Sequence, residues 1–212
     1  MHVVWDWNGT LLDDLPVVLA SVNAGVAPYR SEPVTLDDYR THYTRPVKRF
    51  YDSLLGREIT NDEWLDLDHR FHEAYRAQMQ GASLAPGARE ALERTAGIGV
   101  RQSLLSMYPH DDLIPLVAAA GIDHHFVRID GLQGPPGDRK ASYLESHLGA
   151  MSADPDDTLV IGDTPDDAYA AAAIGADCVL VDNGSHHRPS LEATGFRVAS
   201  GLIEAVAPYF AS

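Results

Sequence analysis

The chain opens on HVVWD, a short apolar run rich in β-branched side chains that predicts a buried strand. The period then changes. Between Leu15 and Leu84 apolar residues recur at helical spacing: VVLASVNAGV, then Val47, Phe50, Tyr51, Leu54 and Leu55, then Trp64, Leu67, Phe71, Ala74 and Met79. No convincing strand interrupts this block, so it reads as an all-helical insertion over 15–84, closed by the Pro/Gly signal in SLAPGA. Strands and helices alternate afterwards. GAREALERTAG is helical, VRQSLLS a strand, PHDDLIPLVAAAG a helix and HFVRI a strand; KASYLESHLGA, TLVIGD, PDDAYAAAAIG and ADCVLV then repeat helix, strand, helix, strand. This alternation predicts an α/β fold, a Rossmann-like parallel sheet with helices on both faces, built from 1–14 and 85–212. Gly184 to Ser212 carries no clear pattern.

Composition narrows the classes. The 212 residues are 45% hydrophobic, enough for a substantial core, and no apolar stretch approaches the roughly 18–20 residues that cross a bilayer. The net charge of −15 argues against nucleic-acid binding, which needs basic surface to displace counterions. No basic leader precedes the acid at position 6, so no secretory signal and a cytoplasmic location are expected. Cys178, the single cysteine, sits in the apolar run ADCVLV and is expected to be a buried strand thiol. Of the sixteen basic residues only Lys48 and Lys140 are lysines.

In doubly wound sheets the chemistry gathers where strands end and helices begin. Those places hold Asp6 and Asn8, then Ser106, then Asp163, with Lys140 opening a helix and Asp167 four residues beyond Asp163. Each has an ordinary alternative. Thr164-Pro165-Asp166-Asp167 is a good helix start, which alone would explain Asp167; Ser106 is a common kind of strand-end residue, and Lys140 a common helix residue. Asp6 has the least ordinary explanation, because an apolar strand followed by Asn-Gly-Thr gives little reason for an acid.

The set, in its order, resembles the haloacid dehalogenase-like hydrolase superfamily over nearly the whole chain. DWNGTLLDD is similar to its first motif, SLLS to the second, DRKASYL to the third and GDTPDD to the fourth, and the helical block resembles the inserted cap of one subclass, as in phosphoglycolate phosphatase-like members. The resemblance implies Asp6 as nucleophile, with Ser106 and Lys140 binding the transferred group and Gly9 and Thr10 lining the substrate. It also implies Mg²⁺ held by Asp6, the Asn8 carbonyl, Asp163 and Asp167, and a small phosphorylated metabolite as partner. The residue types suit that chemistry: an anionic ester admits a carboxylate nucleophile only when cations screen the repulsion, and Mg²⁺ prefers hard oxygen ligands.

Position 8 departs from the pattern. Phosphatases of this superfamily carry there a second aspartate that protonates the leaving group and then activates water, whereas Asn8 keeps only the backbone carbonyl. The expectation is a slow or selective phosphatase. Two other readings stay open at this stage. Phosphonoacetaldehyde hydrolases lack the second acid and use a cap lysine as Schiff base, a role for Lys48 if Arg45 and Arg49 depress its pKa. Alternatively, the scaffold serves as a non-catalytic phosphoryl-binding regulator. Arg45 and Lys48 are also candidates for a distal anionic group of the substrate, against the commoner reading of a solvated basic face balancing Asp37 and Asp38. The histidines form no zinc pattern.

Overall fold

The computed structural model describes residues 1–44, 46–133 and 140–209, which divide into two compact units: Met1–Asp13 with Ser83–Ser212, and Asp14–Ala82. The first is a six-stranded parallel sheet, ordered β5 (Ile129–Leu132), β4 (Arg101–Pro109), β1 (His2–Trp5), β6 (Thr158–Gly162), β7 (Asp177–Val181), β8 (Arg197–Ala199). The expected α/β class and its parallel sheet are therefore present. The connecting helices are α5 (Ala88–Gly97), α6 (His110–Ala119), α7 (Lys140–Met151), α8 (Pro165–Ile174), α9 (Arg188–Glu192) and α10 (Leu202–Val206). A two-residue antiparallel ribbon, β2 (Leu12–Asp13) on β3 (Ser83–Leu84), joins the points where the chain leaves this unit and returns to it. Leu84, read from its sequence as the end of the helical block, is thus a strand residue opposite Leu12.

β1 is the central strand, with Trp5 paired to Leu104 on one side and Ile161 on the other. Both its faces are covered, which is why HVVW reads as a continuous apolar run instead of alternating. On one face Val4, Leu105, Val160, Cys178 and Leu180 meet Leu144 and Leu148 of α7 and Ala168 and Ala171 of α8. Small alanines let α8 lie close to the sheet, and each fully buried leucine contributes about 1.5–3 kcal/mol. Cys178 is buried there as expected, and burial raises its thiol pKa.

Three strands differ from the expected ones. HFVRI overlaps its strand only at its last residue: β5 starts at Ile129, although Val127 N–H already donates to Gln102 C=O and Arg128 C=O already accepts from Leu104 N–H. Val127 stays exposed, so this segment skirts the sheet edge while its apolar residues mimic a buried strand. β4 runs on to Pro109 past an irregularity between Leu105 and Pro109. β8 falls in the stretch without readable pattern; it has only three residues, too few to display a period.

The second unit is helical throughout: α1 (Leu15–Val26), α2 (Leu36–His42), α3 (Val47–Leu55) and α4 (Asn61–Gln78). Val22, Val26, Tyr39, Phe50, Tyr51, Leu54 and Leu67 form its buried centre, with Tyr39 and Tyr43 stacked at 5.0 Å. Two capping boxes, Thr35 with Asp38 and Thr60 with Glu63, start α2 and α4. Among the described residues no helix is long and apolar enough to cross a membrane.

Burial, followed by the charge of Arg101, lowers the pKa of His2 from 6.5 to about 4. The unfolded chain takes up this proton below pH 6.5 while the folded chain does not. Stability is therefore lost as pH falls from 6.5 toward 4, and this group changes nothing above 6.5. A His2→Gln variant is expected to flatten that section of the Tm-against-pH curve; an unchanged slope would show that the imidazole does not cause it.

Candidate active site

The carboxyl edge of the sheet brings the charged residues together. Asp6 follows Trp5 directly, and its N–H still donates to Ile161 C=O at 2.9 Å, so the strand ladder fixes the backbone that carries the carboxylate. Ser106 and Asp163 each stand two residues beyond the partners of Trp5, Leu104 and Ile161, on the neighbouring strands. Lys140 is the first residue of α7 and forms ion pairs with both Asp6 and Asp167. Asp6, Asp163 and Asp167 are all buried, and each offers an oxygen within 4.8 Å of the others.

The surrounding chain holds these acids in place. Gly9 turns with φ +69°, and a Cβ there would stand 2.7 Å from Asp163 Cγ, so any side chain at position 9 would displace that carboxylate. Gly184 leaves room on its other side in the same way, and Gly162 does so for Asp167. The fully buried Thr10 hydroxyl lies 3.3 Å from Asp6 Oδ2 and 3.5 Å from Asp163 Oδ1, bracing the two carboxylates. Asp167 does two things at once. Its Oδ2 accepts from Thr164 N–H at 3.0 Å and Oγ–H at 2.7 Å in a capping box, while Oδ1 faces Lys140. The capping explanation and the site explanation are both physically present.

One polar residue of this edge has no counterpart in the sequence analysis. Ser185 donates to Asp163 Oδ2 from its backbone N–H at 3.1 Å and lies with its hydroxyl at 3.3 Å, next to Gly184. The signal was available: VDNGS follows β7, and the rule that chemistry gathers at strand ends applies to that strand too. Ser106 is buried, and its Oγ accepts from Tyr108 N–H at 3.0 Å within the irregular part of β4.

Among the described residues the edge holds three carboxylates against one ammonium. Burial, opposed by Lys140 and reinforced by Asp167, raises the Asp6 pKa to about 6. Burial also opposes ionisation of Asp167, but Lys140 and the Thr164 bonds outweigh it and its pKa falls. Lys140 loses solvation, yet the two acids beside it push its pKa up. A cluster of hard oxygen donors with unbalanced negative charge suits a divalent cation of the Mg²⁺ type.

Lys48 and Arg30 of the helical unit each pair with an acid of the same unit. Lys48 pairs with Asp52 at 3.3 Å, one turn along α3, and Asp38 pairs with Arg30 at 3.4 Å while capping α2. Arg45 lies outside the described residues, and α3 begins after Pro46.

A parallel sheet thus delivers a buried aspartate from β1 to an acidic, lysine-bearing edge. The comparisons name the family: residues 1–175 match the model of haloacid dehalogenase-like hydrolases, and the chain belongs to that family and is an enzyme of the hydrolase class. It is 28% identical over 192 residues to a phosphoglycolate phosphatase of Haemophilus influenzae, covering 86% of both chains. A phosphoglycolate phosphatase of Pseudomonas fluorescens is 25% identical over 209 residues, covering 94% of this chain and 76% of its own. The fold is similar to a haloacid dehalogenase-like family protein of Streptococcus pneumoniae, with TM-score 0.83 at 18% identity over 98% of this chain and 97% of that one. A hydrolase from Pseudomonas syringae gives 0.74 at 20% identity, over 99% and 97%.

A divalent cation on this cluster is expected to stabilise the native state by about 2.7 kcal/mol at 100-fold excess over its Kd. Differential scanning calorimetry with and without Mg²⁺ or Mn²⁺ should show a higher Tm for the wild type and little shift for Asp163→Asn. Equal shifts in both proteins would place the cation elsewhere.

Proposed function

We propose that the protein is a Mg²⁺-dependent phosphatase of small organic phosphates, acting through an aspartyl-phosphate on Asp6. The observation that carries this reading is the ion pair of Lys140 with Asp6 at a buried strand end beside Asp163 and Asp167. The Mg²⁺ would be held by Asp6, Asp163, Asp167 and the Asn8 carbonyl, and when bound supplies positive charge that polarises the phosphoryl group. Lys140 releases part of its hold on Asp6 as a phosphoryl oxygen arrives and neutralises that oxygen instead. The Ser106 hydroxyl, already accepting from Tyr108 N–H, has its proton to donate to a second oxygen. Amides of the Asn8–Gly9 turn complete the cradle. An Asp6 carboxylate oxygen then bonds to phosphorus as the ester oxygen departs with the electron pair, and water hydrolyses the acyl phosphate to regenerate Asp6.

Asn8 sets the selectivity. It can neither protonate a departing alkoxide nor take a proton from water, functions worth about 10²–10⁴-fold in rate. Aryl and acyl phosphates leave without that proton, so the first step favours them. The likeness to phosphoglycolate phosphatases makes a short phosphorylated carboxylate of the cytoplasm the first natural candidate. The Lys48 Schiff-base alternative has less support, because the Lys48 side chain is engaged with Asp52 at 3.3 Å.

Turnover of 4-nitrophenyl phosphate and of phosphoglycolate in Mg²⁺, before and after Asn8→Asp, tests the reading. The substitution is expected to raise alkyl phosphate turnover by about 10²–10⁴-fold and aryl turnover by less. No Mg²⁺-dependent aryl turnover in the wild type would favour a non-catalytic phosphoryl-binding protein, and an unchanged alkyl rate would refute the role given to position 8.

A further inference from the structure

A second polar cluster lies inside the sheet unit, away from the carboxyl edge. Alternation along the strands puts His2 and Val4 of β1, and Ser103 and Leu105 of β4, on the face that α7 covers. Two of these four residues are polar, and α7 meets them with a polar residue of its own. His147 Nε2 lies 2.8 Å from Ser103 Oγ, His2 Nε2 lies 2.7 Å from the same oxygen, and His147 Nδ1 lies 2.7 Å from Asp130 Oδ2 on β5. His2, Ser103 and His147 are all buried.

One proton arrangement satisfies this chain. An ionised Asp130 only accepts, so His147 Nδ1 carries the proton and Nε2 is the acceptor. Ser103 Oγ–H then donates to His147, and His2 Nε2–H donates to Ser103. Burial keeps both imidazoles neutral by lowering their pKa values. The order Ser103, His147, Asp130 reproduces the contacts of a serine hydrolase, but Ser103 is 0% exposed in mid-strand and meets no substrate.

The position of His147 on α7 gives the cluster its use. Lys140, Leu144 and His147 follow helical spacing on one face, so His147 sits two turns below the lysine that reaches Asp6. The apolar contacts of Leu144 and Leu148 are non-directional and tolerate a small slide or roll of the helix. Hydrogen bonds to fixed strand atoms tolerate neither. We propose that His147 is a positioning residue: anchored on Ser103 and Asp130, it fixes the height and roll of α7 so that the Lys140 ammonium stands at Asp6. The proposal rests on the phosphatase reading only for its effect on catalysis; the placement of Lys140 is independent of it.

The chain has two lysines, which makes the placement measurable. Pulsed amine labelling of the native full-length protein, read by peptide mass spectrometry, gives the reactivity of Lys140 against Lys48. The wild type is expected to protect Lys140, whose side chain is only 10% exposed. His147→Leu is expected to raise its labelling rate about tenfold, and His147→Gln, which restores a polar group near Nε2, to recover part of the protection. Ser103→Ala, a smaller change that removes the shared hydroxyl, is read in the same assay should His147→Leu not fold cooperatively. Unchanged Lys140 protection in cooperatively folded variants overturns the proposal.

A double-mutant cycle reads the consequence for the site through the affinity for inorganic phosphate in Mg²⁺, measured by isothermal titration calorimetry. His147→Leu should weaken phosphate binding in the wild-type background and have no further effect beside Lys140→Met. Additive losses would mean that His147 does not act through Lys140. A wild type without turnover refutes the phosphatase reading alone, because the labelling result still decides where His147 holds Lys140.

Discussion

The structure depends most on one buried ammonium held between two buried carboxylates. Lys140 pairs with Asp6 and Asp167, and the same edge carries Asp163, so among the described residues three acids share one internal cation. Burying such charges is costly, and removing one partner leaves the others uncompensated. The neighbouring elements are arranged to bear that cost. The ladder of β1 fixes Asp6, the capping box of α8 fixes Asp167, and Thr10 and Ser185 bond to Asp163. Three glycines, Gly9, Gly162 and Gly184, are where they are because carboxylates occupy the space a Cβ would need. The raised pKa of Asp6 is the remaining imbalance, and it is the imbalance a divalent cation would remove.

In the proposed reaction the asparagine at position 8 changes how this charge is used without disturbing it. The turn, the glycine and the strand end are intact, so binding and nucleophilic attack are separable from proton transfer. In the proposed reaction Asn8 weakens both departure of a poor leaving group and the activation of water. For an aryl phosphate the first weakness is small and the second is not, so the acyl phosphate should form faster than it is hydrolysed.

The sequence made legible what depends on local pattern. The alternation after residue 85 was clear because most helices and strands there have several residues to show their period; Asp6 stood out singly, and Ser106, Lys140, Asp163 and Asp167 only as a set placed where those elements begin and end. Asp167 shows why spacing alone left two explanations: the residue caps α8 with one oxygen and meets Lys140 with the other. β8 was too short to show a period, and HFVRI looked like a strand because its apolar residues precede the paired ones. Ser185 and the His2–Ser103–His147–Asp130 chain were not legible, since each joins residues distant in sequence through side chains of common type. Lys48 was read with Arg45 and Arg49 against Asp37 and Asp38, and its i,i+4 neighbour Asp52, with which it pairs, was passed over.

The central claim is that Asp6 bonds to phosphorus. With Asn8 slowing hydrolysis, the phosphorylated enzyme should accumulate during turnover of 4-nitrophenyl phosphate. Acid quenching followed by borohydride reduction converts an aspartyl phosphate, but not a free aspartate, to homoserine, which peptide mass spectrometry can locate. The account predicts homoserine at position 6, dependent on both substrate and Mg²⁺. Continued turnover with no modification at that position, or with modification at a different aspartate, would contradict it.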